Sequence, residues 1–195
     1  VENLRRIRGV DDKHHLTLLC RDLSELASYA RVDNAQYRLL KTATPGAYTF
    51  ILEASKEVPR RVSHPSRKTI GLRVPEHQVL QELLAHYGSA LLATTLIANG
   101  ETEPLNDAQD IRERFEKLVA AVVDAGACPM SPTTVIDLTG DEPVRSDNHG
   151  YPVRIPSRTL VEGRGDRRGR NGRQRGGADA HLFAIGETAA VGIAQ

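Results

Sequence analysis

The run Ile70-Gly71-Leu72-Arg73-Val74 places a guanidinium inside an otherwise apolar stretch whose exit is fixed by Pro75. Strand alternation puts Lys68, Ile70, Leu72 and Val74 on one face and Thr69, Gly71 and Arg73 on the other. Gly71 then leaves open space beside Arg73. A planar, permanently charged donor fork beside open space suits a carboxylate or a phosphate; the alternative is a structural ion pair with one of the chain's many acids. Just upstream, Lys56, Arg60, Arg61, Arg67 and Lys68 bring the cations to six within 18 positions. Residue by residue, Arg60, Arg61 and Arg67 read as a solvated surface. As a patch, Lys56, Arg60, Arg61, Arg67 and Lys68 suit the phosphates of double-stranded RNA. Ala93-Thr94-Thr95 and Pro132-Thr133-Thr134 have related character, since hydroxyls and backbone N–H groups at strand ends hold anionic oxygens. Thr also favours strands on its own account.

No P-loop, dinucleotide-binding glycine fingerprint, paired-cysteine zinc site or serine elbow accompanies these residues. His14 and His15 are adjacent, but no Cys/His spacing completes a metal site around them, His64 or His77, so no protein-bound metal is expected. Cys20 and Cys128 are too few for a disulfide scaffold and read as buried thiols in a reducing cytoplasm. With eight aromatic residues in total, the chain is poorly suited to stack single-stranded bases.

The 195 residues fill one core and are short for two. No apolar stretch reaches membrane-spanning length, so an integral membrane protein is excluded as an expectation, and the charged start at Val1 is no secretory signal. The net charge of +1 hides a division: residues 145–195 carry nine Arg, no Lys and five acids, leaving 17 basic and 20 acidic side chains in residues 1–144. From Gly163 to Gly177 the sequence is almost entirely Gly and Arg, with nothing to offset its ordering entropy, and it reads as disordered. Its charge attracts RNA or anionic surfaces, or is merely solvated. His181 to Gln195 regains apolar character and reads as a short helix or as sequence outside the fold. The expected organisation is a domain over 1–144 and an Arg/Gly-rich tail over 145–195.

Strand signals fall at Leu16–Cys20, Tyr48–Ala54, Thr69–Val74, Ala90–Leu96 and Thr133–Leu138. Helix signals fall between them. Asp22–Ala30 and Asp33–Lys41 are short, the second opened by Asp33 and Gln36 in capping-box spacing. Glu76–Tyr87 aligns Val79, Leu80, Leu83, Leu84 and Tyr87 before Gly88. Asp107–Ala125 repeats Ile111, Phe115, Leu118, Val119 and Val122 at helical spacing before Gly126. Helices inserted between strands predict an α/β fold, a mixed or parallel sheet covered by helices.

Taken in order, Arg6-Ile7-Arg8-Gly9, His15-Leu16-Thr17-Leu18-Leu19-Cys20, Thr44-Pro45-Gly46-Ala47-Tyr48, Ile70-Gly71-Leu72-Arg73-Val74-Pro75, Ala93-Thr94-Thr95 and Pro132-Thr133-Thr134-Val135-Ile136-Asp137 resemble the YrdC/Sua-type superfamily of threonylcarbamoyl-AMP synthases. Cys20-Arg21-Asp22-Leu23-Ser24-Glu25-Leu26, Lys56-Glu57-Val58-Pro59-Arg60-Arg61 and Arg67-Lys68-Thr69-Ile70-Gly71 are similar to its YciO branch. The resemblance spans about residues 3 to 144. It implies a YrdC-like twisted mixed sheet flanked by helices, α+β in some schemes, with a cationic cavity. There ATP, L-threonine and bicarbonate, with Mg2+, become threonylcarbamoyl-adenylate and diphosphate for tRNA position-37 modification. It also implies that Arg8, Arg73, Thr94, Thr95, Thr133 and Thr134 meet substrate or nucleotide.

The departures are equally specific. Where the family has a Lys-x-Arg pair, this chain keeps Arg8 but has Val10; its Lys-Pro-Leu element reads His14-His15-Leu16; its Ser-x-Asn element falls on Thr95-Leu96-Ile97. Two polar contacts have become hydrocarbon, each loss worth about 1–3 kcal/mol in an assembled site. The family's opening strand, helix and Pro-Thr-Asp-Thr-type motif do not stand before Val1, and its Leu-Arg-x-Gly strand is reduced to Val144-Arg145. A fragment or shifted reading frame explains both ends with fewer events than a decayed enzyme. Three functions are therefore carried forward: a synthase-like protein of weak or absent activity, a noncatalytic nucleotide-, tRNA- or double-stranded-RNA-binding module, and a structural remnant.

Overall fold

In the computed structural model the described residues are 1–126 and 133–146, together with the strand segments Pro152–Arg154, His181–Leu182, Ala184–Ile185 and Ala189–Val191. The Gly163–Gly177 segment and Cys128 lie outside them. All five apolar runs form strands: β1 (Thr17–Leu19), β2 (Tyr48–Glu53), β3 (Thr69–Arg73), β4 (Leu91–Thr94) and β6 (Thr134–Asp137). Helices α2 (Leu23–Tyr29), α3 (Asn34–Ala43) and α4 (Gln78–Tyr87) separate them. The fold is therefore a mixed sheet flanked by helices. The Asp33 carboxylate accepts from the Ala35 and Gln36 amides while the Gln36 side chain accepts from the Asp33 amide, completing the capping box. Helix α4 stops at Gly88, whose φ of 76° lets its N–H turn back to the Leu84 carbonyl. Leu80 and Leu84 are buried as the spacing predicts, but Tyr87 is exposed at the last turn.

Two readings need correction. The helical period from Asp107 does not continue to Ala125: α5 covers Ala108–Phe115 only. The Leu118 amide closes a turn onto the Phe115 carbonyl at 2.8 Å, and β5 (Val122–Val123) then pairs antiparallel with β9 (His181–Leu182). The apolar residues converge nonetheless, because Ile111, Phe115 and Val122 pack with Leu96. Leu118 is exposed. A helix that the spacing did not anticipate, α1 (Glu2–Arg8), buries Leu4 and brings Ile7 to the same cluster. The stretch for which a short helix is one expectation supplies β9, β10 (Ala184–Ile185) and β11 (Ala189–Val191), short apolar segments punctuated by glycine.

With β7 (Val144–Ser146) and β8 (Pro152–Arg154), the main sheet runs β10-β11-β4-β1-β3-β2-β6-β7-β8. Strand β1 is parallel to β3 and antiparallel to β4, and β2 is antiparallel to β3 and parallel to β6. Leu18, Leu72, Phe50 and Ile136 lie on one face, against Leu26 of α2 and Leu40 and Ala43 of α3. On the other, Leu19, Leu91 and Ala93 pack against Leu80 and Leu84 of α4.

Candidate functional site

Cross-strand neighbours share a face, so register decides which side chains meet. Leu19 stands opposite Arg73 and Thr17 opposite Gly71 across β1 and β3. Phe50 stands opposite Leu72 and Ile51 opposite Gly71 across β2 and β3, which places Thr49 beside Arg73. Thr49 stands opposite Val135, and its hydroxyl lies 3.4 Å from that of Thr133. Arg73, Thr49 and Thr133 are thus one polar group on the α4 face of the sheet, at the carboxyl end of β3. Arg73 is 9% exposed there. It also faces His77 at the start of α4, whose imidazole is held below the ordinary histidine range by burial and then by the Arg73 charge. Among the described residues His77 Nδ1 is buried with no hydrogen-bond partner. Thr134 occupies the Tyr48 register, and its amide donates to the Ala47 carbonyl at 3.1 Å.

Gly71 does not open space beside Arg73. A Cβ there would stand 2.9 Å from Thr17 Oγ1 and 3.2 Å from the Leu16 carbonyl oxygen, so glycine is needed for close approach of β3 to β1. Nor does alternation extend back to Lys68, whose φ of 54° sets it outside the strand.

Arg8, His14 and Thr94 form a second group, with Thr95 next to Thr94 in the chain and half-buried. Because β4 runs opposite to β1, Thr94 falls beyond the Ala93–Thr17 pair, about 10 Å along the strands and about 10 Å across them from Arg73. The Thr94 hydroxyl is buried and lies 3.2 Å from His14 Nε2. Arg8 Nη1 donates to the Ile97 carbonyl at 3.3 Å, and desolvation lowers its pKa. Val10 and Ile97 are both half-buried. Burial, then Arg8, holds His14 below the ordinary histidine range against the opposing pull of Asp11. Between the groups His15 stacks on His64, ring centroids 4.9 Å apart. Burial, then His64 and Arg67, lowers its pKa, while Asp137 opposes that shift.

Lys56, Arg60, Arg61, Arg67 and Lys68 are all exposed. Their loop is tied down: His64 Nδ1 accepts from the Ser66 and Arg67 amides, the Lys68 amide donates to the His64 carbonyl, and Arg5 reaches the Arg61 carbonyl. Arg73 does not belong to this surface. Residues that linear spacing misses are Thr49, His77 and Asp137. Thr49 is readable from its alternation with Phe50, but its place beside Arg73 depends on the pairing of β2 with β3. Among the described residues no three His, Cys, Asp or Glu stand together as metal ligands, and no helix is long and apolar enough to cross a membrane.

A family model described as "Sua5_yciO_yrdC: Telomere recombination" matches residues 1–146. The uncharacterized protein YciO of Escherichia coli (strain K12) is 49% identical over 144 residues, 74% of this chain and 70% of that protein. The crystal structure of E. coli YciO superposes with a TM-score of 0.71 at 46% identity, covering 79% of this chain and 73% of that one. A putative threonylcarbamoyl-AMP synthase of Methanocaldococcus jannaschii is 30% identical over 145 residues, 73% of this chain and 66% of that protein. P. abyssi Sua5 complexed with L-threonine shares the fold, with a TM-score of 0.68 at 23% identity, covering 74% of this chain and 43% of that one.

Proposed function

The chain belongs to the Sua5–YciO–YrdC family and, within it, to the YciO branch, and from that premise we propose that it is a nucleotide-binding protein of threonylcarbamoyl-adenylate synthase type whose turnover is weak or absent. In the reaction, the threonine amine captures CO2 derived from bicarbonate and loses a proton. A carbamate oxygen then attacks the α-phosphorus of ATP, and diphosphate departs. No side chain need become covalently attached; the protein's part is orientation and charge stabilisation.

The observation that carries this reading is Arg73, buried at the carboxyl end of a central strand and grouped with Thr49, Thr133 and His77. Its guanidinium would hold phosphoryl or carboxylate oxygens, with the Thr133 hydroxyl as a shorter-range donor; Thr134, in register with Tyr48, lies on the opposite face of the sheet. The described residues do not fit a resident Mg2+: of the acids that strand register puts on this face, Asp137 already accepts from the amide and hydroxyl of Thr139 through Oδ1, and Glu53 pairs with Arg31 at 3.2 Å. A magnesium ion would arrive with the nucleotide phosphates. Weak turnover is supported at the other group, where positions 10 and 97 are hydrocarbon and Arg8 is engaged by a backbone carbonyl. Titration with Mg-ATP, paired with a threonine- and bicarbonate-dependent diphosphate assay, tests both halves. Weak, saturable binding with little or no diphosphate is expected. Rapid turnover overturns the weak-activity half of that expectation, and lack of binding overturns the nucleotide reading.

A second reading, double-stranded-RNA binding, is favoured by the exposure of five cations on a loop whose backbone is fixed. Neutralising Arg60, Arg61, Arg67 and Lys68 together in the full chain is expected to weaken RNA binding and to flatten its dependence on salt by roughly one unit of logarithmic slope for each phosphate no longer neutralised. Filter binding across a salt series measures both. Unchanged affinity and slope would place any binding elsewhere, the Arg-rich tail being the next source of charge.

A further inference from the structure

Beyond the carboxyl end of β3, past Arg73, lies a cleft of about 300 Å³ whose lining does not include Arg73, Thr49 or Thr133. It is built where the parallel strands β1 and β3 end, between residues 21–23 after β1, Lys41 at the end of α3, Thr44 and Pro45 before β2, Val74 after β3 and Gln81 of α4. The carboxyl ends of neighbouring parallel strands are where open sheets take ligands, because the connections diverge there. The volume is at the lower end for a small-molecule site.

We propose that this cleft binds a small monocarboxylate with a short apolar chain, its carboxylate held between Arg21 and Lys41 and its chain laid against Leu23, Pro45 and Val74. The Lys41 ammonium has no hydrogen-bond or ion-pair partner among the described residues. Arg21 uses Nε on Asp22 Oδ2 at 3.3 Å, which leaves the terminal donors of its fork for a ligand. Asp22 is the third charge in the lining, so the wall carries a net charge of +1, matched by a monoanion and poorly matched by a dianion that would be repelled by the Asp22 carboxylate. Leu23, Pro45 and Val74 supply the apolar part of the wall.

The frame is fixed before any ligand arrives. The Gly46 amide donates to the Val74 carbonyl at 3.0 Å, and Gln81 Nε2 donates to the Pro75 carbonyl at 2.6 Å. The Arg21 amide donates to Glu25 Oε2 at 2.7 Å, and Asp22 Oδ1 accepts the Glu25 amide at 2.8 Å. Such preorganisation confines the ordering cost to the Arg21 and Lys41 side chains. The cleft differs from the proposed nucleotide site in its lining: Val74, which packs with Leu18, Phe50 and Leu72, lines it, and neither Arg73 nor His77 does.

Two-dimensional amide NMR of the full chain, titrated with sodium butyrate, sodium acetate or inorganic phosphate at constant ionic strength, tests the proposal. Butyrate is expected to shift the Asp22, Leu23 and Gly46 amides and the Gln81 side-chain amide in a saturable manner, more tightly than acetate. Arg21→Gln combined with Lys41→Gln should weaken it roughly tenfold or more, the scale of lost charge-assisted hydrogen bonds. Both side chains are exposed, so the double variant should keep the parent's urea midpoint. Linear shifts without saturation, or unchanged affinity in the double variant, overturn the site. Tighter saturation by phosphate at the same signals overturns the monocarboxylate assignment.

Discussion

Arg73→Ala is expected to weaken Mg-ATP binding by about ten- to a hundredfold, measured by calorimetric titration. Hydrogen bonds to a charged partner contribute about 1.5–3 kcal/mol each when truncated, and each 1.4 kcal/mol is a factor of ten. Arg73 is 9% exposed, so a phosphate reaching it is shielded from water and its attraction is stronger than at the surface. Arg73→Lys should recover only part of the loss, because a point charge cannot present two parallel donors. Removing a buried side chain also disturbs packing, so a second measurement separates the roles. The Arg73 charge helps to hold His77 below the ordinary histidine range, and in Arg73→Met, which preserves much of the bulk, the His77 midpoint followed by NMR should rise. A rise in His77 with undiminished ATP affinity would leave Arg73 a scaffold residue.

Phe50→Ala is expected to cost about 3–5 kcal/mol in urea-induced unfolding, the largest loss of any single truncation in this core. Phe50 is fully buried in the middle of β2, opposite Leu72 on one side and Ile136 on the other, with its ring 6.1 Å from that of Tyr48. Cavity cost grows where surroundings cannot collapse, and two flanking strands hold this site open. The consequence reaches the opposite face, since β2 carries Thr49 beside Arg73. Phe50→Leu, which fills more of the space, should retain more stability and nucleotide affinity. A loss below about 1 kcal/mol for Phe50→Ala would mean that the strands relax freely and position nothing.

What residues alone reveal is whatever is locally encoded. Ile70, Leu72 and Val74 announce a strand by alternation, Asp33 and Gln36 a helix start, and Gly88 a helix stop. The α5 region misleads because Ile111, Phe115, Val119 and Val122 satisfy a helical period even though the chain turns after Phe115; spacing does not reveal that Val122 and Val123 have a strand to pair with. Helix α1 offers only Leu4 and Ile7 as apolar signals. The candidate residues divide for the same reason. Arg8, Thr94 and Thr95 at one end, and Arg73, Thr133 and Thr134 at the other, are separated by the antiparallel pairing of β4 with β1, which is a nonlocal choice. The open space expected beside Gly71 fails similarly: what fills it is Thr17, 54 positions away in the chain.

Cys20 gives the molecule a clock. Its thiol is fully buried at the end of β1, its amide donates to the Arg73 carbonyl at 2.8 Å, and burial, reinforced by Glu25 and Asp22, pushes its ionisation far above the ordinary thiol range. Sulfur chemistry needs the thiolate and access to it, so an alkylating reagent must wait for this strand end to part from β3. In a Cys128→Ser background, the pace of Cys20 labelling therefore counts those openings, and any molecule that clamps Arg73 or occupies the cleft slows the count without touching sulfur.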